Sequence, residues 1–302
     1  MSAILKANPY TPIIKMVTRS VDSPHSRRAY GRALEMFLVW HHAAGQPLLN
    51  KSTVNDYRNH LRETGTSPAT INQHLTAIKK PAREAADYGL LDHRLLSGIE
   101  NVRGVKREGQ RAGNWLSKHQ ANRLLRAPDE STVKGKRDRA LLAVMLGCGL
   151  RRSEVVALTF DHLQQRDERW AIIDLVGKRG RTRSVPMPLW AKRAIDDYAA
   201  ALGITGGYVF RPLSRWEHIT GKQLSVQRVL DIVREYATVL GLGSLAPHDL
   251  RRTFAKLARN GGAALDQIQA SLGHASVETT QRYIGDNQSF TDAPADHLGI
   301  GL

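Results

Sequence analysis

Two histidines, four arginines and a tyrosine crowd the stretch 247–283 of this 302-residue chain. In Ala246-Pro247-His248-Asp249-Leu250-Arg251-Arg252-Thr253-Phe254-Ala255, Pro247 suits the first helical position, where a missing N–H costs nothing. A helix is therefore expected from Pro247 through Leu257. His248 and Arg251 share one face of it, while Leu250, Phe254 and Leu257 form an apolar stripe on another. A cationic pair near a helix N-terminus adds to the macrodipole and the free N–H groups of the first turn, and a phosphate oxygen suits that field. Further on, Leu272-Gly273-His274-Ala275-Ser276 reads as a helix stopped by Gly273 and a new one capped by Ser276, and the new helix carries Tyr283. Taken singly, each residue has a plainer role: a structural histidine, a solvated arginine edge, an aromatic at the rim of a core. Taken as a set, they suit phosphoryl transfer with a tyrosine nucleophile.

Other elements must bring further charge to that phosphate. A strongly apolar helix over Arg137 to Leu146 is stopped by Gly147-Cys148-Gly149, and Arg151 then sits at a tight junction before a helix that Ser153 can cap. Strands are expected at Trp170 to Val176 and Thr182 to Met187, joined by the hairpin turn Gly177-Lys178-Arg179-Gly180-Arg181. Helices follow at Leu189–Leu202 and Val226–Leu240; between them, Gly203 to Leu224 has no clear period and holds Arg211, Arg215, Trp216 and Lys222.

His-x-x-Arg, then Leu-Gly-His, then Tyr283 nine residues after His274 resembles the C-terminal signature of the tyrosine recombinase (phage integrase) family, Xer-like members included. Gly149-Leu150-Arg151-Arg152-Ser153-Glu154 resembles the family's first arginine motif, which carries over to Arg151 and leaves Arg152 outside the site. Gly177-Lys178, followed by Arg183-x-Val185-Pro186, resembles its β-hairpin, with Lys178 as the matching lysine; the arginine-rich tip leaves Arg181 a share of that claim. The resemblance implies a catalytic set of Arg151, Lys178, His248, Arg251, His274 and Tyr283. It also implies a 3′-phosphotyrosyl intermediate, strand cutting and rejoining for integration, excision or resolution, and no metal or ATP. Tyr236 is the nearest rival nucleophile, but it precedes His248 and breaks the order.

The implied architecture is mainly α with a small antiparallel β-sheet: a helical DNA-binding domain over 1–105, a basic linker over 106–112, and a catalytic domain over 113–302. The N-terminal pattern agrees with this plan. Residues 1–20 read as an arm, and helices follow Ser23-Pro24, Ser52 and Ser67-Pro68. Their inward positions are Leu34 and Phe37, Val54, Tyr57 and Leu61, and Ile71, Leu75 and Ile78. Pro81 is expected to kink or break the third helix, a fourth segment to end at Gly89, and Lys79, Lys80 and Arg83 to be free for phosphates. Residues 99–113 carry glycines among arginines and lysines and read as linker.

Charge supports a polyanionic partner. The chain has net charge +16, with 17 Lys and Arg against 9 Asp and Glu in residues 1–111 and 27 against 19 in the remainder, so both parts are basic. Double-stranded DNA engaged by both is the expected partner, with a tetramer on DNA and a place for accessory DNA-bending proteins. Cys148 is the single cysteine, which suits a reducing cytoplasm, and neither a membrane span nor a signal peptide is expected. The tail from 286 ends in Leu298, Ile300 and Leu302, suited to packing on its own domain or on a neighbouring protomer. Three alternatives compete: a type IB topoisomerase that reseals the same strand, a Mg²⁺-dependent transposase, and a regulator that binds DNA without cutting it.

Overall fold

Proline, glycine and short polar caps set most helix ends in the computed structural model of the chain, which describes residues 14, 24–106, 114–177, 180 and 182–284. The chain divides into two compact units between residues 110 and 111. The expected arm over 1–20, apart from Ile14, and the tail from 286 lie outside the described residues.

The first unit contains α1 (Pro24–Ala43), α2 (Lys51–Glu63), α3 (Pro68–Asp87) and α4 (His93–Glu100). Asn50, Ser67 and Asp92 cap the last three by accepting from first-turn N–H groups. The apolar stripes meet in a core of Leu34, Phe37, Val54, Tyr57, Ile71 and Ile78. Four expectations fail here: a break at Pro81, a fourth segment ending at Gly89, a linker from residue 99, and Lys79 and Arg83 free for phosphates. Helix α3 runs through Pro81, because Ile71, Leu75 and Ile78 before it and Ala82 and Ala86 after it are all buried, and that packing outweighs one lost backbone hydrogen bond. The segment ending near Gly89 is thus the end of α3, and the fourth helix is α4. Residues 99–105 are not free linker: Ile99 and Val102 are buried, and Asn72 exchanges two hydrogen bonds with Val105, at 2.9 and 2.8 Å. Lys79 is likewise engaged, donating to the carbonyls of Glu100 and Val102 at the end of α4, while Arg83 pairs with Glu100.

In the second unit the order is α5 (Lys118–Arg126), α6 (Val133–Cys148), α7 (Arg152–Ala157), a 3₁₀ turn (Phe160–His162), β1 (Leu163–Arg166), β2 (Arg169–Val176), β3 (Thr182–Pro186), α8 (Leu189–Leu202), α9 (Val226–Val239), α10 (Pro247–Asn260), α11 (Leu265–Leu272) and α12 (Val277–Ile284). Helix α6 is buried on every side and packs against α5, α8 and α10, which makes it the axis of the unit. The sheet is antiparallel in the order β1-β2-β3, with Ile172 opposite both Leu163 and Val185. Edge strand β1, Leu163-Gln164-Gln165-Arg166, lacks apolar alternation and escaped the sequence reading. Between α8 and α9, Val209 and Phe210 anchor the loop, and exposed Trp216 carries the Arg215 guanidinium 4.5 Å above its ring. No helix among the described residues is long and apolar enough to cross a membrane.

Candidate active site

Three helix ends build the site. Helix α6 terminates in Gly149 at φ +61, where a Cβ would also lie 2.6 Å from the Phe254 ring of α10, so conformation and close approach both demand glycine. Two residues later Arg151 becomes the N-cap of α7. Ser153, expected as that cap, lies inside the helix; the capping carboxylate is Glu154, whose Oε2 accepts from the Arg151 N–H at 2.8 Å.

Glu154 is buried and serves more than the cap. Its Oε1 accepts from the Arg151 guanidinium at 2.7 Å, and its two oxygens take the two terminal nitrogens of Arg183, from β3, each at 2.9 Å. Burial opposes the charge, but these donors outweigh it and hold the Glu154 carboxyl below its ordinary range. Neither Glu154 nor Arg183 was singled out for a role from sequence. The i, i+3 spacing of Arg151 and Glu154 is the sequence signal for one; Arg183 stands in the hairpin motif Arg183-x-Val185-Pro186, but nothing local ties it to Glu154, 29 residues away.

Arg251 is 1% exposed and bridges two helix ends, donating to the Gly149 carbonyl at 2.7 Å and to the Leu272 carbonyl that closes α11. Its Nε is buried without a hydrogen-bond partner. Burial and the nearby Arg151 charge lower its pKa to about 10. His248 stands in the first turn of α10, as expected, and His274 follows the Gly273 stop, with its Nδ1 3.0 Å from the Thr280 hydroxyl of α12. Ser276 accepts from the Thr279 N–H and caps α12, again as expected.

Tyr283 meets both histidines. Its hydroxyl lies 3.2 Å from Nε2 and 3.3 Å from Nδ1 of His248, and its ring stands edge-on to both imidazoles at 5.1 Å. Arg252 sits 5.2 Å over the same ring. Burial raises the Tyr283 pKa, against the pull of Arg251 and Arg252. Burial and then the arginine charges lower His248 and His274 to about 4 each, so both imidazoles are neutral at pH 7. An open cleft of about 480 Å³ borders the group and is lined by Arg151, Arg152, Arg234, Pro247, His248 and Arg251. Arg152, expected outside the site, therefore faces it.

The structure thus brings five of the six expected residues, Arg151, His248, Arg251, His274 and Tyr283, into one neighbourhood. Lys178 and Arg181 lie outside the described residues. The rival Tyr236 is engaged elsewhere, donating to Asp138 at 3.2 Å beside the buried Arg137–Asp138 pair. Among the described residues no His, Cys, Asp or Glu cluster fits a metal ion. A cationic cleft, two neutral imidazoles and a phenol can together bind a phosphodiester, take the phenol's proton and stabilise the charge on phosphorus oxygens.

Residues 114–289 match the Phage integrase family, and residues 16–87 match the Phage integrase, N-terminal SAM-like domain. Tyrosine recombinase XerC of Pelobacter propionicus is 35% identical over 274 residues, covering 86% of this chain and 84% of that protein. Tyrosine recombinase XerD of Pseudomonas putida is 30% identical, covering 86% of each. Among solved structures, a XerH site-specific recombinase bound to a palindromic difH substrate shares the fold at a TM-score of 0.69, with 18% identity over 86% of this chain and 76% of that one.

Proposed function

The chain belongs to the phage integrase family of tyrosine recombinases and is a site-specific DNA recombinase, and on that premise we propose that Tyr283 is its nucleophile, served by Arg151, Lys178, His248, Arg251 and His274. The observation that carries this reading is the contact of the Tyr283 hydroxyl with His248, at 3.2 Å, under the charges of Arg251, Arg252 and Arg151.

The substrate is double-stranded DNA. A neutral histidine, His248 being nearest, takes the phenol proton, and the Tyr283 oxygen bonds to a backbone phosphorus while the bond from phosphorus to the 5′-oxygen breaks. Lys178 supplies the proton that turns the departing oxygen into a 5′-hydroxyl. Arg151 and Arg251 grip the non-bridging oxygens, whose charge grows in the transition state. One phosphodiester is replaced by a 3′-phosphotyrosyl ester, so the bond is stored and a 5′-hydroxyl from another strand reverses the step without ATP. Exchange between two duplexes cuts four strands, and one tyrosine per protomer makes the working assembly a tetramer on DNA, with accessory DNA-bending proteins as additional partners. Residues 1–105 and 113–302 act as the DNA-binding and catalytic domains, joined by 106–112. The buried free thiol of Cys148 accords with a reducing cytoplasm.

The role of Lys178 has a chemical test. A nicked duplex whose scissile link carries sulfur at the 5′-bridging position has a leaving group that needs no proton. Lys178→Ala is expected to lose cleavage of the oxygen substrate by about 10²-fold or more and to recover it on the sulfur substrate, whereas Arg151→Ala stays inactive on both. Failure of the sulfur to rescue Lys178→Ala removes the general-acid assignment.

A further inference from the structure

Arg183 is the side chain that joins the parts of this site without touching the cleft. It leaves β3, five positions after Lys178 in sequence, and its side chain is only 10% exposed. Two of its nitrogens fill both oxygens of Glu154, and its Nε donates to the Ser271 carbonyl at 2.8 Å, in the last turn of α11. Each contact leads to a different member of the site. Glu154 holds both the backbone N–H and the guanidinium of Arg151. Ser271 lies immediately before Leu272, whose carbonyl takes Arg251, and before the Gly273 stop that delivers His274.

Gly273 carries the imprint of this arrangement. A Cβ there would lie 2.9 Å from Arg183 Cδ and 3.2 Å from its Nε, so the glycine is required by the arginine stem lying across it as well as by its φ of +61. The guanidinium is suited to the place because its planar fork spans a carboxylate and still keeps a third N–H for the carbonyl; an ammonium cannot match that geometry.

We propose that Arg183 is a positioning residue for strand cleavage, locking Arg151 through Glu154 and the His274 turn through Ser271, and so tying the strand that follows Lys178 to both. This rests on the assignment of Tyr283, Arg151 and His274 above. Arg183 donates its hydrogen bonds inside the protein, so its contribution lies in catalytic geometry and not in DNA affinity.

The full-length wild type, Arg183→Lys, Arg183→Gln, Glu154→Gln and the Arg183→Lys/Glu154→Gln double variant are compared for DNA affinity, melting temperature and single-turnover cleavage of a nicked suicide duplex. Arg183→Lys preserves the charge that DNA sees, so affinity is expected to stay within about twofold while cleavage falls by roughly 10²-fold, the scale at which small misplacements act. The double variant is expected to cleave no more than about twofold slower than Glu154→Gln, because both changes break one unit. If Arg183→Lys melts far below the wild type, Arg183→Gln in the temperature range where it is folded serves as the second reading, with the same pattern expected. Cleavage at the wild-type rate, a loss of affinity that accounts for the slower rate, or fully additive losses would overturn the proposal alone. A wild type that forms no adduct at Tyr283 would overturn the active-site reading and the proposal with it.

Discussion

Arg251 and Glu154 are opposite charges almost sealed from solvent, yet their closest approach is 3.9 Å, and each is held chiefly by other partners. Glu154 is satisfied by Arg151 and Arg183, Arg251 by two helix-end carbonyls, so both stay charged at a cost their hydrogen bonds offset. The same cationic setting explains the histidines. Their folded pKa values of about 4 lie below the ordinary 6.5, so the unfolded chain binds more protons between those limits. Stability from this source is fully present above pH 6.5, falls as pH drops, and is gone near pH 4. The expected observation is an acid-side decline of melting temperature through that window that flattens in His274→Gln; an equally steep decline in the variant would contradict the histidine origin. A phosphate in the cleft offsets the arginine charges while burial persists, so imidazole proton resonances should titrate at higher pH in the DNA complex than in the free protein.

Helices and turns carry these side chains, and Thr253 shows how firmly. Its hydroxyl is fully buried, accepts from the Leu116 N–H at 2.9 Å and donates to the Asp249 carbonyl at 2.8 Å, fastening the strap before α5 to α10. Thr253→Val removes the acceptor and strands a buried donor, and is expected to lower the stability of the second unit by about 1–3 kcal/mol in urea unfolding, with DNA cleavage by the folded fraction retained. Elements of this kind were legible where local chemistry decides: Pro247 and Ser276 start helices, Gly149 and Gly273 end them, and Leu189–Leu202 follows its own apolar period. They were illegible where tertiary contact overrides local preference. Pro81 reads as a break, yet burial on both sides of it keeps α3 whole; α4 is too short, at eight residues, to show a period; and β1 is polar on an edge. The candidate site divides the same way. The spacing of His248, Arg251, His274 and Tyr283 is written in sequence, whereas the link from Arg183 to Glu154 exists only once β3 packs on α11 and the Arg183 side chain reaches across to α7.

At the scale of the whole molecule, both units are basic, and the charge of +16 has to be read against what already occupies its cations. Lys79 and Arg83 are already engaged at the end of α4, Arg83 at the surface, whereas Arg152 and Arg234 line the open cleft with no side-chain hydrogen bond or ion pair among the described residues. DNA affinity is therefore expected to fall steeply with salt, with a log–log slope of about −0.9 per phosphate contact, and Arg234→Ala should lower that slope by about one contact. An unchanged slope would show that Arg234 does not meet the backbone. The central claim concerns one oxygen in this assembly. Full-length protein incubated with a nicked suicide duplex in the presence of a chelator should yield a protein–DNA adduct that survives denaturation, and digestion should place the DNA on the peptide containing Tyr283. Tyr283→Phe, which keeps the ring and loses the hydroxyl, should bind the same DNA and form no adduct; an adduct in that variant, or DNA mapped to any other residue, would contradict the account.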